Sequence, residues 1–538
     1  MQVIENSRST TGTRTRVQDI NPTSGMCPIC IEECQVMCEI GKSAFRGREV
    51  LYPQPEYFGT STASSNKDYL LDWSHFQILA ELIGAYGIEA NPDKAFFENA
   101  DVSSYVATSS KKPIRLAIPI VIPGLGSTAV AKRNWESLAK GAAMAGAIQV
   151  VGENVAGMDP EAKYTNGKVT KSPDLEFRIK AYRELWDGEN GDIAVQTNVE
   201  DQRGGVDVYA LSKLEVNIIE RKWGQGAKAI GGEVRLNTLE RALELKRRGY
   251  LVLPDPEDKS VQEAFKAGAF KSFERHSRVG FPSRRTFVED VEWLRSNGAK
   301  YVFLKTGAYR PEVVAFTLKC ASEAKLDMLT FDGAGGGTGM SPVPMMNEMS
   351  TPTVHLQSQL LDCARILRKK NRFIPDLVMA GGFVNETQMF KSIAMSNIGD
   401  GPLVKAIGMA RSPILAAMRS QYFAHLATKG KLPKSFADEY GSNPEKFFIM
   451  TSEIQEKFRS KQIGKDIPWG AVGVYTYFDR ISVGLKQLMA GARKFKLNNL
   501  ARDDICSLSE YGSKVTGIET FESMANRVMP GILEYWDD

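Results

Sequence analysis

The chain carries almost no excess of either charge: 68 Lys and Arg stand against 64 Asp and Glu. That excludes a polybasic surface for nucleic acid or for an anionic membrane. It lacks any run of about 18 apolar residues, which excludes a bilayer-spanning helix. Its first 21 residues are polar and charged, with no apolar stretch to serve as a secretory signal. The expected compartment is therefore the cytoplasm, and the expected partners are small molecules and other proteins. Internal repeats and low-complexity tracts are absent. Cysteine is scarce and uneven, since Cys320, Cys363 and Cys506 are scattered while the other four of seven crowd into 27–38. Isolated thiols of this kind read as packing residues. With 43% hydrophobic residues the chain can build a sizeable core, as one large domain with appendages or as two or three domains.

What is present begins with glycine. Phe331-Asp332-Gly333-Ala334-Gly335-Gly336-Gly337-Thr338-Gly339-Met340-Ser341-Pro342 holds five glycines in seven residues, directly after an apolar run. Glycine lets backbone pass close to a flat or phosphorylated molecule, so a buried strand ending in an acid and glycines opens onto a ligand. From residue 113 onward, apolar runs alternate with amphipathic stretches, the pattern of a parallel α/β architecture. Strands are expected over 114–122, 147–152, 192–197, 214–222, 300–306, 326–331, 376–380 and 403–408. Helices are expected over 133–145, 239–248, 287–297, 311–323, 353–370 and 385–395. Eight strand–helix units in about 300 residues predict a (β/α)8 TIM barrel. The apolar run 250–253 is an alternative strand. The expected division is a cysteine-containing N-terminal segment over 1–112, the barrel over 113–420, and a helical C-terminal extension over 421–538. That extension, with helical patterns over 444–461 and 479–494, is expected to cap the barrel.

In a TIM barrel, chemistry gathers at the C-terminal ends of the strands. Each expected strand here ends in glycine or a polar group. Gly124 and Ser127 follow the first, Gly152-Glu153 the second, and Gln196 lies in the third. The stretch 220–228 continues the fourth, Lys305 ends the fifth, and Asp332 with the glycine run ends the sixth. Gly381-Gly382 follow the seventh, and Gly408 and Arg411 follow the eighth. Glycines after strands seven and eight match the usual phosphate site of this fold. Lysines at strands four and five add positive charge for a cofactor or an acidic substrate. Together these features suit FMN.

Several of these motifs share one order. Gln225-Gly226-Ala227-Lys228 followed by Gly231-Gly232, the Gly152-Glu153 turn, Lys305, and the Gly-Gly-Thr-Gly-x-Ser-Pro ending of 335–342 resemble the FMN-binding synthase domain of glutamate synthases over roughly 114–420. The resemblance implies an FMN-dependent barrel in which reduced flavin gives a hydride to 2-iminoglutarate, formed from 2-oxoglutarate and ammonia. It would set Gly124 and Ser127 at the flavin, Gln196 near its ring and Lys305 at its polar edge. Asp332, Gly335, Gly336 and Gly337 would form one wall, and Gly381, Gly382, Gly408 and Arg411 would surround the phosphate. Lys228 falls on the family lysine beside the 2-oxo acid and Glu153 on the acidic residue of the first glycine turn; these two are the expected catalytic pair.

The chain departs from the family in four places. The family's glutaminase uses an amino-terminal cysteine, yet Met1 is followed by Gln2 and the first cysteine is Cys27. The 3Fe-4S ligands that large glutamate synthases carry after the eighth strand have no counterpart here before Cys506. Gln-Gly-Ala-Lys-Pro-Gly reads Gln-Gly-Ala-Lys-Ala-Ile-Gly, and His-Asp-Gly reads Phe331-Asp332-Gly333; both changes are expected on the substrate side. In place of the lost centre, Cys27, Cys30, Cys34 and Cys38 put four thiols within twelve residues, enough for a 4Fe-4S cluster beside a flavin or, alternatively, for zinc. The expected activity is reduction of an imine of 2-oxoglutarate or a related 2-oxo acid with ammonia or an amine. Electrons would come from a ferredoxin or reductase subunit, a glutaminase subunit would supply ammonia, and the assembly would be oligomeric. An N-methylglutamate synthase-type subunit is one alternative, and an FMN and iron–sulfur electron-transfer subunit without turnover is another. Oxidation of 2-hydroxy acids, which in other FMN barrels relies on a histidine base, fits poorly with only four histidines, of which His355 and His425 lie in helical patterns and His276 in a basic stretch.

Overall fold

The computed structural model describes residues 69–338 and 341–534. Eight parallel strands close into a barrel, in chain order around the ring: β1 (Ile120–Leu125), β2 (Ile148–Val151), β3 (Ile193–Thr197), β4 (Ile218–Lys222), β5 (Tyr301–Thr306), β6 (Met328–Asp332), β7 (Asp376–Ala380) and β8 (Val404–Gly408). Each is followed by a helix on the outside: α1 (Ala129–Met144), α2 (Pro173–Arg183), α3 (Val206–Lys213), α4 (Arg284–Ser296), α5 (Pro311–Glu323), α6 (Thr353–Lys369), α7 (Glu386–Met395) and α8 (Arg411–Thr428). The expected (β/α)8 barrel is therefore the fold, with all eight expected strands in place.

Strands buried on both faces read as apolar runs, because one face meets the helices and the other fills the barrel. The period of two separates the faces. Val302 and Leu304 of β5 pack outward into the large core shared with the helices, whereas Phe303 joins Val121, Val150, Ile218, Met328 and Val378 in a separate inner cluster. An antiparallel hairpin of Ser104–Val106 and Ile114–Leu116 closes the lower end of that cluster. Thr108 bonds to Asp376 through its backbone N–H (2.7 Å) and its hydroxyl (2.9 Å), and the Ser110 hydroxyl donates to Asp327 (2.8 Å). The barrel floor is thus a plug of ordinary side-chain packing. The mouth at the other end is polar.

Three expectations change in detail. The strand expected over 114–122 divides, since 114–116 belongs to the floor hairpin and the barrel strand starts at Ile120, just after Pro119, which has no N–H for a ladder. The run 250–253 is a strand, Leu251–Leu253, but lies outside the barrel in an antiparallel sheet with Glu233–Leu236 and central Phe273–His276. Its alternating burial, with Leu251 and Leu253 exposed around buried Val252, marks a one-sided strand. The helix Leu239–Arg247 belongs to the same excursion between β4 and α4 and has its own small core around Leu245, Tyr250 and Phe273. In the C-terminal extension the pattern over 444–461 forms two short helices, Pro444–Phe447 and Thr451–Lys457, and 479–494 is the later part of α9 (Trp469–Gly491). That long helix lies along α1, α7 and α8 on the flank of the barrel rather than over its mouth. Its Gly473 faces Ser420 of α8 so closely that a Cβ would sit 1.8 Å from the hydroxyl. Strand Phe76–Ile78 pairs with Ile505–Ser507, tying the two ends of the described chain together.

Candidate active site

Period-two alternation that puts Ile218, Phe303 and Met328 on the inner face also puts the next inward positions at the mouth. These are Gln196 on β3, Glu220 and Lys222 on β4, Lys305 on β5, and Thr330 and Asp332 on β6. Lys305 and Asp332 form a buried ion pair at 2.8 Å. Lys222 pairs with Glu153 at 2.6 Å and donates to the Gln225 side-chain carbonyl at 2.9 Å. Gln196 Nε2 donates to Glu220 Oε1 at 2.6 Å, while Gln196 Oε1 is buried without a partner among the described residues. The same oxygen explains Gly124, where a Cβ would stand 2.6 Å away.

Burial and neighbours separate the titrations of these groups. Burial pushes the Glu153 carboxyl upward, but Lys222, through charge and hydrogen bond, and Lys305 overcome it, so the net shift is downward and Glu153 is ionised. Glu220 is pushed up to about 7 by burial, against its bond from Gln196 and the charges of Lys305 and Lys222. Lys228 is pushed down to about 8, chiefly by burial; Glu233 at 3.8 Å opposes this and Lys222 reinforces it. At neutral pH the mouth thus holds the ionised Glu153 beside Lys222 and two groups, Glu220 and Lys228, able to exchange protons.

The loops interlock over this ring. Gly226 sits where a Cβ would be 1.8 Å from Gly333 O, and Gly335 where one would be 2.7 Å from Gly381 O. Gln225 Nε2 donates to Thr338 Oγ1 (2.9 Å), Ser341 Oγ to Ala227 O (2.9 Å), and Arg411 Nη2 to Gly335 O (3.1 Å). The glycine turn after β6 is therefore a wall built against the loops after β4 and β7. Gly336 faces Asp332 Oδ1 and Gly337 faces the Arg411 side chain, both closer than a Cβ permits. Phe331 is the exception to expectation: it is buried on the outward face of β6, between inward Thr330 and Asp332, within the core shared with the helices. The change from His to Phe there is a packing difference and does not reach the substrate side.

Gly381 and Gly382 hold φ of +118° and +92°, values that side-chain-bearing residues resist. Beside them α8 begins at Arg411 without a side-chain cap, leaving its first-turn N–H groups for an anion. Gly408 ends β8 against Ala380, where a Cβ would stand 2.7 Å from the alanine methyl. Ser127 lies half-buried in the loop after β1. Cys27, Cys30, Cys34 and Cys38 fall outside the described residues. Among the described residues no cluster of three or more metal-ligating side chains occurs, and no helix is long and apolar enough to cross a membrane.

Beyond the expected set, the excursion after β4 delivers Arg275. It is 1% exposed, stacks over the Tyr250 ring at 5.0 Å and donates to Ser277 Oγ at 2.6 Å, yet its Nε has no partner among the described residues. Burial pulls its pKa down, and the charges of Glu153, Asp201 and Glu200 act against that. Ser277 in turn bonds Asn154, which is held left-handed at φ +64° by the loop that presents Glu153. Glu220 and Lys222 were legible from strand alternation. Arg275 was not, because it arrives from an antiparallel sheet 47 positions beyond Lys228 in the chain.

No protein-family model matches the chain. Among solved structures it is similar to flavocytochrome b2 with sulfite bound (14% identity, 85% of this chain and 81% of that one, TM-score 0.45) and to the monotopic membrane protein (S)-mandelate dehydrogenase (12% identity, 81% and 89%, TM-score 0.42). By sequence it is 22% identical over 445 residues, 81% of this chain and 85% of the other, to a glutamate synthase large subunit-like protein of Rhizobium meliloti (strain 1021). The resemblance that the glycine and lysine motifs carry over roughly 114–420 is thus joined by an overall likeness to a glutamate synthase large subunit-like protein.

Proposed function

We propose that the chain is an FMN-dependent oxidoreductase that reduces an imine of 2-oxoglutarate or of a related 2-oxo acid. The residues present fit FMN: positive-φ Gly381 and Gly382 and the uncapped start of α8 suit a phosphate, while the unpartnered Gln196 carbonyl beside Gly124 and the cation of Lys305 suit a polar ring edge. When bound and reduced, FMN supplies a hydride. The remaining work belongs to the chain. The observation that carries the substrate class is a set of three cations, buried Arg275 and Lys228 with partly exposed Lys222, against the two carboxyls of Glu153 and Glu233. Three cations against two carboxyls suit a dicarboxylate, whose binding adds the missing negative charge. Lys228, held near 8, can give a proton to the nitrogen as the imine carbon takes the hydride. Glu153 is ionised by Lys222 and instead holds a cationic amine or imine in place.

On this reading a ferredoxin or reductase subunit delivers electrons, Cys27, Cys30, Cys34 and Cys38 ligate a 4Fe-4S cluster, and zinc in place of iron in the purified protein would remove the cluster. Titrating FMN-loaded, reduced protein with 2-oxoglutarate, with and without ammonia or methylamine, tests the activity. Reoxidation that requires both the 2-oxo acid and a nitrogen donor supports the reading, and the better donor separates glutamate from N-methylglutamate formation. A flavin that stays reduced with every combination overturns it.

A further inference from the structure

Glu220 has no part in the chemistry above, although it is a 1% exposed acid at the centre of the mouth. Its neighbour Gln196 is equally buried, with one amide end bonded at 2.6 Å and the other without a partner among the described residues. Gly124 leaves just enough room for that free end. A primary amide has a donor end and an acceptor end of nearly equal size, so its orientation follows from what its partners demand. An ionised carboxylate can only accept, which forces Gln196 to turn its N–H2 to Glu220 and its carbonyl to Gly124. A protonated carboxyl can donate, and the amide can then reverse, accepting from Glu220 and turning its N–H2 to Gly124.

We propose that Glu220 is a positioning residue whose gain or loss of one proton reverses the Gln196 amide, so that the cofactor ring meets an acceptor in one state and a donor in the other. The proposal rests on the FMN reading. The charged and titratable groups that face Glu220 are Lys222 on its own strand, Lys305 from β5 and Glu153 from the loop after β2, with Gln196 from β3 as its hydrogen-bond partner. Asp332 engages Lys305, and Arg221, the next residue along β4, points outward onto Asp207 and Asp290. Burial brings Glu220 to about 7, so protonation makes the reversed amide orientation accessible within the neutral range. A flavin ring gains negative charge on reduction, and a donor beside it favours the reduced form while an acceptor opposes it. Proton uptake by Glu220 should therefore favour reduced over oxidised FMN by about five-fold, the worth of one net hydrogen bond.

The test measures the dissociation constants of oxidised FMN and of dithionite-reduced FMN from the full-length protein between pH 5.5 and 8.5. The wild type should show the ratio of the two constants changing about five-fold with a midpoint near pH 7. Glu220→Gln, uncharged at every pH, should bind FMN with a ratio that lacks this step. Gln196→Met keeps Glu220 but removes the amide and should lose the step as well. A step that persists in either variant with FMN bound overturns the proposal and leaves the flavin reading intact. If Glu220→Gln does not fold, Gln196→Met decides alone. A wild type that binds neither form of FMN overturns the flavin reading and this proposal with it.

Discussion

Two consecutive residues of β4 face opposite ways and live under different rules. Arg221 points out between β3, α3 and α4, where it donates to Asp290 twice at 2.7 Å, to Asp207 at 2.8 Å and to Thr197 Oγ1 at 2.7 Å. Nearly every hydrogen it can offer has an acceptor. Glu220 and Lys222 point in, where, among the described residues, Gln196 is half-satisfied, Arg275 Nε has no partner and Lys228 meets a carboxylate only at 3.8 Å. Buried polar groups are normally satisfied, so the outward cluster fastens the strand and the inward one is left short where a ligand can complete it. The same strand supplies both, one residue apart, because its side chains alternate.

The comparison breaks most directly at Arg221. Arg221→Leu leaves Asp207 buried without its cation and should cost about 3–5 kcal/mol in urea unfolding. Lys222→Met, one position on, should cost less, about 1–3 kcal/mol, since the Glu153 it abandons keeps part of its side chain exposed. Equal losses would erase the distinction between the faces. Next in size, Lys228→Ala should retain FMN but lower turnover about 100-fold, the ordinary worth of a proton donor. In the wild type, turnover should fall as pH rises through about 8, where Lys228 loses its proton, and the variant should lack that fall. Third, Gly381→Ala must accept φ +118° and a Cβ 2.5 Å from Thr353 Oγ1, so it should lower stability by about 2 kcal/mol. Gly382→Ala, whose nearest neighbour is 3.3 Å away, should lose less, and thermal melts of the two side by side check the order.

Most of the barrel was legible in the sequence because strands buried on both faces write continuous apolar runs. Seven of the eight expected ranges contain or closely overlap their strand without qualification, and the first overran only because the floor hairpin and β1 are both apolar and meet at Pro119. The glycine turn, Lys305 and Gly381-Gly382 were legible for a related reason: a polar or glycine residue that ends a buried run has to face the open end. What stayed hidden depends on side-chain direction or on distant chain. Phe331 looked like a substrate contact until alternation turned it outward. Arg275 reaches the mouth through a one-sided sheet whose short strands imitate a barrel strand in composition. The tail was read as a cap because helical periodicity reports that a face is buried, not which surface buries it; α9 spends its apolar side on α1 and α8.

The smallest effect sharpens the comparison by its sign. Glu220 has a folded pKa of about 7 against an ordinary value of 4.5. For an acid with a raised pKa, the folded state binds the proton more tightly than the unfolded chain. Its contribution to stability is therefore full below about pH 4.5, is lost as pH rises toward 7, and stays lost above that. Glu220→Gln removes the titration, so the variant should match the wild type near pH 4.5 and exceed it by roughly 1–3 kcal/mol at pH 8. Urea unfolding at the two pH values measures the difference of differences, in which any change of packing common to both cancels. A gain at pH 8 means that β4 keeps an acid at the mouth at the expense of its own stability, which a residue serving only the fold would not do. A gap independent of pH would instead make Glu220 as fully satisfied as Arg221, and the contrast between the two faces of the strand would end there.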